Sequence, residues 1–270
     1  MKLTKIAFTV CALALSASAF ADDALEIMKK FTSLDVPETS EATMNMDNIE
    51  VNGTVEHRIM LQRGRKRNGL TDVVFDFTQP ASVRNTRVLQ SEKTAREDDR
   101  WIYMPQLKQV RRIPMSERYK NFVGCEFTYN DMAIRQPEED THEMLSENET
   151  ITVAGKTYNC WKIKSTPIKK SEVEYSYRIN YMDKETLLPA KTEYFDKKDP
   201  NKLMKTYTME EWEYFTAPKS GKTYVFRKKA RMVNNITGRQ TFLFIEKPKF
   251  DEGISPNYFT QQFLQTGKAK

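Results

Sequence analysis

Residues 172–183 read EVEYSYRINYMD, and their alternation decides the fold class. Apolar and aromatic side chains occupy every second position, and polar side chains lie between them: Val173, Tyr175, Tyr177, Ile179 and Tyr181 alternate with Glu174, Ser176, Arg178 and Asn180. Successive side chains of a strand point to opposite faces, so this pattern predicts an antiparallel strand with one apolar and one solvated face. Residues 71–77, TDVVFDF, repeat the pattern with Phe75 and Phe77 opposite Asp76.

The rest of the chain extends this pattern into a large sheet. Between positions 37 and 248, short β-like runs recur about every ten residues, as expected of an all-β sheet or barrel. Turn residues separate the runs at Asn52-Gly53, Ala154-Gly155, residues 187–189, residues 199–201 and Gly238. Helices are predicted at residues 22–34 and 256–264, where they can cover the inner face. A curved sheet of this size tends to leave a cavity that a ligand fills.

Residues 1–21 are typical of a cleaved secretory signal peptide. Lys2 and Lys5 precede an apolar run at residues 6–15, and Ala19 and Ala21 supply the small residues of a cleavage site. The run is far shorter than the ~20 residues that span a bilayer. We therefore expect an exported, periplasmic protein in which residues 22–270 form a single domain.

The net charge of the chain is modest. It is +6 for the full sequence, and removing Lys2 and Lys5 with the signal peptide leaves +4. Such a small excess argues against nucleic acid as a partner. It suits transient contact with an anionic membrane surface.

Two cysteines, Cys125 and Cys160, remain after the predicted cleavage. In an oxidising compartment they can form one disulfide. Alternatively, both are buried thiols that pack as small apolar side chains. The sequence leaves both alternatives open.

Motifs of catalysis are missing from the sequence. The two histidines, His57 and His142, lie far apart in unrelated contexts, and no Cys or His spacing resembles a zinc site. There is no Gly-rich phosphate loop and no Gly-x-Ser-x-Gly elbow. We therefore predict no catalytic residue, no metal site, no cofactor and no enzymatic activity.

The strongest family signal lies between positions 74 and 132. It consists of FTQPASVRNTRVL at residues 77–89, DDRWIYMPQLKQVRRI at residues 98–113 and NFVGCEFTYNDM at residues 121–132. Together with KARMVNNITGRQTFLFI and KFDEGISPNYFTQQFL near the end, this order resembles the outer membrane lipoprotein-sorting family with the LolA/LolB-like fold. The resemblance covers nearly all of the chain after the signal peptide.

The resemblance implies a mainly β protein, a large antiparallel half-open β-barrel with covering α-helices and an apolar cavity for acyl chains. Carriers of this fold take a lipidated protein from an inner-membrane exporter and pass it to an outer-membrane acceptor. This branch resembles periplasmic partners of resistance-nodulation-division (RND) type exporters, and we expect a monomer. The terminal helices and residues 134–142 would act as a lid.

Two groups of residues are candidates for binding. The inward-facing aromatic and apolar side chains, which could line the acyl-chain cavity or simply pack in the core, are Phe75, Phe77, Trp101, Tyr103, Tyr175, Tyr177 and Ile179. A basic cluster around Gly64 could form a docking patch or a solvated hairpin end, and its members are Arg63, Arg65, Lys66 and Arg67. If that patch and the stretch at residues 99–131 dock on an exporter, the protein could instead be a non-enzymatic periplasmic adaptor without lipid cargo.

Overall fold

A computed structural model describes residues 23–94 and 96–270, so the predicted signal peptide at residues 1–21 lies outside the described residues. The described chain contains thirteen strands: β1 Thr39–Ile49, β2 Val55–Arg67, β3 Leu70–Gln79, β4 Arg87–Ser91, β5 Asp99–Met104, β6 Gln109–Arg112, β7 Asp140–Val153, β8 Lys156–Pro167, β9 Tyr175–Asp183, β10 Pro189–Asp196, β11 Leu203–Thr216, β12 Thr223–Asn234 and β13 Gln240–Phe250. Helix α1 covers residues 23–32, and helix α2 is Gln261–Thr266.

The strands form an open antiparallel sheet. Their order is β6-β5-β4-β3-β2-β1-β13-β12-β11-β10-β9-β8-β7, so most neighbours in the sheet are also neighbours in the chain. The mainly β, antiparallel class predicted from the alternation is therefore confirmed. None of the helices in the described part of the chain is long and apolar enough to cross a membrane.

The chain divides into two compact units. Of the described residues, unit 1 contains residues 23–34 and 134–208, and unit 2 contains residues 35–94, 96–133 and 209–270. The division falls inside β11, after Thr208. A single domain over residues 22–270 stays a prediction.

The turns lie where the sequence predicts them. Asn52-Gly53 connects β1 to β2, Ala154-Gly155 connects β7 to β8, and Gly238 lies between β12 and β13. Gly53 has a φ of 84°, a backbone conformation that glycine adopts at little cost because it has no side chain. The segment at residues 134–142, predicted to be part of a lid, contains a 3-10 turn, Pro137–Glu139, and the first three residues of β7. Within residues 121–132, Asn121 and Thr128 form an isolated β-bridge.

In unit 1, α1 packs against the sheet through one apolar stripe. Ala24, Ile27 and Met28 recur at helical spacing and form a buried cluster with Ile163 of β8 and Met182 of β9. The helix predicted at residues 22–34 is therefore confirmed over residues 23–32.

In unit 2, the C-terminal segment packs on one face of the sheet. A 3-10 turn, Pro256–Phe259, leads into α2, and the Thr260 hydroxyl accepts a hydrogen bond from the Phe263 N–H at 3.1 Å. Phe263 and Leu264 then bury themselves against Val74 of β3 and Leu89 of β4. The C-terminal helix is thus confirmed and begins a few residues later than expected.

Candidate functional site

One face of the unit 2 sheet is rich in methionine. Met44 of β1 pairs with Met60 of β2, which pairs with Phe77 of β3. Met46 lies two residues further along β1 and therefore points to the same side. We call this surface the methionine face; its buried side chains include Met44, Met46, Met60, Phe75, Phe77, Val88, Ile102, Leu243 and Met232. Methionine is unbranched and flexible, so such a surface can adapt to apolar groups of different shape.

A long connection crosses the methionine face. Residues 113–133, here called the crossing segment, follow β6 and contain the buried side chain of Phe122. The ring centroid of Phe122 lies 5.3 Å from that of Phe75, 6.0 Å from that of Phe77 and 5.4 Å from that of Tyr129. The crossing segment therefore covers apolar surface that the sheet would otherwise expose.

Polar contacts fasten the middle of the crossing segment to the sheet. The Glu126 N–H donates to the Thr241 hydroxyl at 2.9 Å, and the Thr241 hydroxyl donates to Asn48 Oδ1 at 2.9 Å. The Glu126 carboxylate accepts from Asn234 Nδ2 at 2.9 Å and lies 3.4 Å from Arg239 Nη1. These contacts satisfy a carboxylate that is almost fully buried.

The end of the crossing segment is anchored on β5. Arg100 Nη1 donates to the Tyr129 carbonyl at 2.7 Å and to Asn130 Oδ1 at 3.1 Å. Because β5 and β13 both hold the segment, it spans most of the methionine face within unit 2. In the stretch at residues 99–131, the part that follows β6 thus covers the methionine face.

The four predicted cavity residues of unit 2 lie on opposite faces. Phe75 pairs with Val88 of β4 and belongs to the methionine face. Trp101 pairs with Leu89, and Trp101 and Tyr103 pack in the cluster under α2. The prediction that all four point to one inner surface is therefore wrong, because cross-strand register places the two pairs on different sides.

The three predicted cavity residues of unit 1 also separate. Tyr177 stacks on Phe195 with ring centroids 4.5 Å apart, and Ile179 pairs with Lys164 and Glu193. Both are half-buried on the face that points away from α1. Tyr175 instead lies beyond a register shift. Its ring is 5.3 Å from that of Tyr194 and 5.5 Å from the Arg178 guanidinium.

The face of β9 that carries Met182 also carries buried charge. Asp140, whose side chain is 1% exposed, accepts hydrogen bonds from Arg178 Nη2 at 2.7 Å and from Arg135 Nε at 3.0 Å. Two guanidinium groups thus share one buried carboxylate. Of the polar positions of the alternating pattern, Asn180 is buried and Glu174, Ser176 and Arg178 are half-buried, which corrects the expectation that this side of the strand faces water.

A neutral network continues from this ion pair. His142 Nε2 lies 2.9 Å from the Pro137 carbonyl, which makes Nε2 the protonated nitrogen, and Nδ1 lies 2.9 Å from the Ser165 hydroxyl. Asn180 Nδ2 also donates to the Ser165 oxygen at 2.8 Å. The Ser165 proton is then available for His142 Nδ1, so the network fits an uncharged imidazole.

We predict that acidification destabilises the protein through His142. Burial lowers the pKa of His142, although the hydrogen bond to Pro137 and the charge of Asp140 oppose this shift. The unfolded chain, with an ordinary histidine pKa near ~6.5, then binds the proton more readily than the folded chain. The contribution of His142 to the free energy of unfolding is therefore fully present above that pH and is lost as the pH drops below it. Urea unfolding at pH 7.5 and 5.5 should show this loss, and the loss should shrink in His142→Gln; an unchanged loss would contradict it.

The predicted docking patch is engaged within the chain. Arg63 Nε lies 2.7 Å from Glu41, and its guanidinium sits 4.3 Å from the ring centre of Tyr258. Arg65 lies 2.8 Å from Asp72 and 4.6 Å from the ring centre of Phe259. Both arginines therefore help to hold the C-terminal segment on the sheet.

The remaining basic residues of the patch differ in exposure and partners. Arg67 Nε lies 3.2 Å from Asp72, and Lys66 Nζ lies 4.0 Å from Glu38. Burial alone would raise the pKa of Asp72, but hydrogen bonds from Arg67, Ser91 and Arg65 hold it below its usual range. Arg65 and Arg67 thus stabilise a buried carboxylate, whereas Arg63 pairs with Glu41.

Both cysteines are buried free thiols, so the possible disulfide is not formed. Burial raises the pKa of the Cys125 thiol to about 12, and burial likewise raises the pKa of Cys160 to about 12. Because the thiolate is the reactive form, we predict that a thiol reagent at pH 8 labels neither cysteine in the folded protein and both in urea. Rapid labelling of either one in the folded state would contradict this assignment.

The described residues provide no metal-binding cluster. Within residues 23–94 and 96–270, no three His, Cys, Asp or Glu side chains come together in a way that could hold a metal ion. What the methionine face offers chemically is apolar area, fixed by cross-strand register and covered by the crossing segment. The sequence reasoning missed its methionines, although TMNM at residues 43–46 shows the same alternation as the aromatic strands.

Solved structures share this fold. The outer membrane lipoprotein-sorting protein domain from Vibrio parahaemolyticus is 26% identical, with a TM-score of 0.78 over 91% of this chain and 99% of that chain. A DUF1329 family protein from Desulfovibrio piger is 22% identical, with a TM-score of 0.78 and the same coverage. A LolA superfamily protein from Nitrosomonas europaea is 17% identical, with a TM-score of 0.59 over 92% of this chain and 98% of that chain.

These similarities define a protein of the LolA-like fold class, as the sequence resemblance implied. A family model with the description "Uncharacterized protein" matches residues 69–266, which is more than half of the chain. The chain belongs to the family that this model describes. No curated protein is significantly similar to the sequence.

Proposed function

We propose that the protein is a periplasmic carrier that binds acyl chains of a lipoprotein or lipid on the methionine face and moves them toward the outer membrane. The observation that carries this proposal is the likeness to the lipoprotein-sorting domain from Vibrio parahaemolyticus, which extends over 91% of the chain. The methionine face supplies the apolar surface that such a cargo needs. Burying an acyl chain is favourable by about 0.8 kcal/mol for each methylene group.

Under this proposal the protein performs no chemistry. An inner-membrane exporter of the RND type would supply the cargo, and an outer-membrane acceptor that binds it more tightly would remove it. An acyl chain would take the place of Phe122 on Phe75 and Phe77, so the crossing segment would move aside when cargo binds. Phe75 and Phe77 thereby keep their proposed role, and Met46, Met60 and Met232 join them.

Binding of a fluorescent fatty acid tests the proposed surface. Met46→Gln combined with Met232→Gln should weaken binding about tenfold, because the amides make the surface polar. Leu89→Gln is the control, since Leu89 is also buried but lies on the opposite face of the same sheet. Equal weakening in the control, or none in the methionine variant, would remove the methionine face from the site.

A further inference from the structure

Four exposed aliphatic side chains lie at one end of the unit 2 sheet. Val51 is in the β1–β2 turn and is 70% exposed, and Val55 at the start of β2 is 52% exposed. Leu107 in the β5–β6 turn is 57% exposed, and Ile236 in the β12–β13 turn is 48% exposed. Antiparallel order brings these turns to the same end of the sheet as the β3–β4 connection.

Side-chain contacts join these connections into one surface. Arg239 Nη2 of the β12–β13 turn lies 2.9 Å from Glu50 Oε1 of the β1–β2 turn. Gln106 Nε2 of the β5–β6 turn donates to the Ser82 carbonyl of the β3–β4 connection at 3.1 Å. The Ser82 hydroxyl lies 3.5 Å from Glu56 Oε1, at the start of β2. We call this surface, formed by residues 50–55, 80–86, 105–108 and 234–239, the aliphatic rim.

The turns of the rim are internally braced. Asn234 Oδ1 accepts hydrogen bonds from the N–H groups of Ile236 and Thr237, both at 3.1 Å. Asn52 Oδ1 accepts from the Thr54 N–H at 3.0 Å. These side chains bind backbone N–H groups within the β1–β2 and β12–β13 turns, while Val51 and Ile236 project into solvent.

The charge of the rim is positive. Its four connections contain three cations, Arg84, Lys108 and Arg239, and one carboxylate, Glu50; Arg239 contacts both Glu50 and Glu126 of the crossing segment, so the excess comes from Arg84 and Lys108. The next carboxylate along the chain, Glu56, is paired with an arginine of its own strand. The exposed aliphatic side chains of the rim therefore lie among more cations than carboxylates.

We propose that the aliphatic rim docks on the surface of an anionic phospholipid bilayer. Aliphatic side chains can enter the boundary between headgroups and acyl chains, while the cations stay with the phosphates. A protein interface would instead be expected to carry aromatic anchors, and the rim sequences contain no Phe, Tyr or Trp. This docking surface goes beyond the proposed carrier function and does not depend on any cargo.

Flotation with lipid vesicles tests the proposal, using the full chain without its signal peptide at low ionic strength. The protein should float with phosphatidylglycerol vesicles and remain behind with phosphatidylcholine vesicles. Val51→Asp combined with Ile236→Asp should lower the vesicle-bound fraction about tenfold or more. Arg84→Glu combined with Lys108→Glu should lower it by a similar factor, and added salt should do the same.

Ile168→Asp is the matched control, because Ile168 is 60% exposed and lies outside the rim. It should bind vesicles like the parent protein. Equal flotation with both kinds of vesicle, or rim variants that bind like the parent, would overturn the proposal. The proposal would also be overturned if the parent protein binds no vesicles but binds an envelope protein, and the rim variants lose that binding. The rim would then be a protein-docking surface. Unchanged thermal unfolding of each variant confirms that the fold is intact.

Discussion

An Asp140→Ala variant is expected to lose about 3–5 kcal/mol of unfolding free energy, because it leaves the Arg178 guanidinium without its counter-charge and takes from Arg135 the closer of its two carboxylates. Arg178 Nη2 lies 2.7 Å and Arg135 Nη2 lies 2.9 Å from the Asp140 oxygens, and this carboxylate is 1% exposed. Neither arginine can regain full hydration without opening the surrounding packing. Urea unfolding followed by far-UV circular dichroism measures the change.

The matched control is an ion pair of the same strand that lies in solvent. Glu143 is 65% exposed in its side chain and sits 3.7 Å from Lys164. Glu143→Ala should therefore change the unfolding free energy by less than about 1 kcal/mol. If Asp140→Ala costs no more than the control, the carboxylate does not hold the two arginines in place.

Truncating Phe122 to alanine should have the second large effect. Phe122 is fully buried and contacts the rings of Phe75, Phe77 and Tyr129. Removing a buried phenylalanine typically costs about 3–5 kcal/mol, through lost apolar burial and the cavity that remains. Chemical unfolding of Phe122→Ala measures this cost directly.

The same segment provides its own comparison. Tyr119 is 37% exposed, so Tyr119→Ala should cost about 1 kcal/mol or less. A Phe122→Ala variant as stable as Tyr119→Ala would show that the crossing segment does not pack on the methionine face in solution. Under the carrier proposal, Phe122→Ala should also bind a fluorescent fatty acid more tightly, because less protein has to be displaced.

Local sequence signals were sufficient for the turns and strands. Asn52-Gly53, Ala154-Gly155 and Gly238 mark their turns through backbone preferences that act over a few residues. Alternation predicted the mainly β, antiparallel class, and the family resemblance predicted the LolA-like fold. The turns and the class could be predicted from the sequence because neither depends on which side of the sheet a given side chain occupies.

The faces could not be predicted in the same way. Alternation shows that Phe75 and Phe77 share a side, and that Trp101 and Tyr103 share a side, but it does not relate the two strands to each other. Pairing through Val88 and Leu89 decides this relation, and it places the two pairs on opposite faces.

The prediction that the polar side of β9 faces water was wrong because polar side chains on that side are buried or half-buried. Arg178 and Asn180 have the polarity of solvent-facing residues, yet they form hydrogen bonds with Asp140 and Ser165 in the interior. A buried polar network satisfies its own groups and therefore leaves no trace in hydrophobic alternation. Met44 and Met46 alternate just as regularly, but methionine is not among the residue types enriched in strands, so their signal is weaker than that of the aromatic residues.

Mass spectrometry of an organic extract tests the carrier proposal most directly. The mature protein would be purified from its own cell envelope without detergent, so that bound cargo is retained. Under the carrier proposal, the extract contains a lipid or acylated peptide in stoichiometric amount. An empty protein that also fails to take up a fluorescent fatty acid would contradict it, and would favour a periplasmic adaptor without lipid cargo.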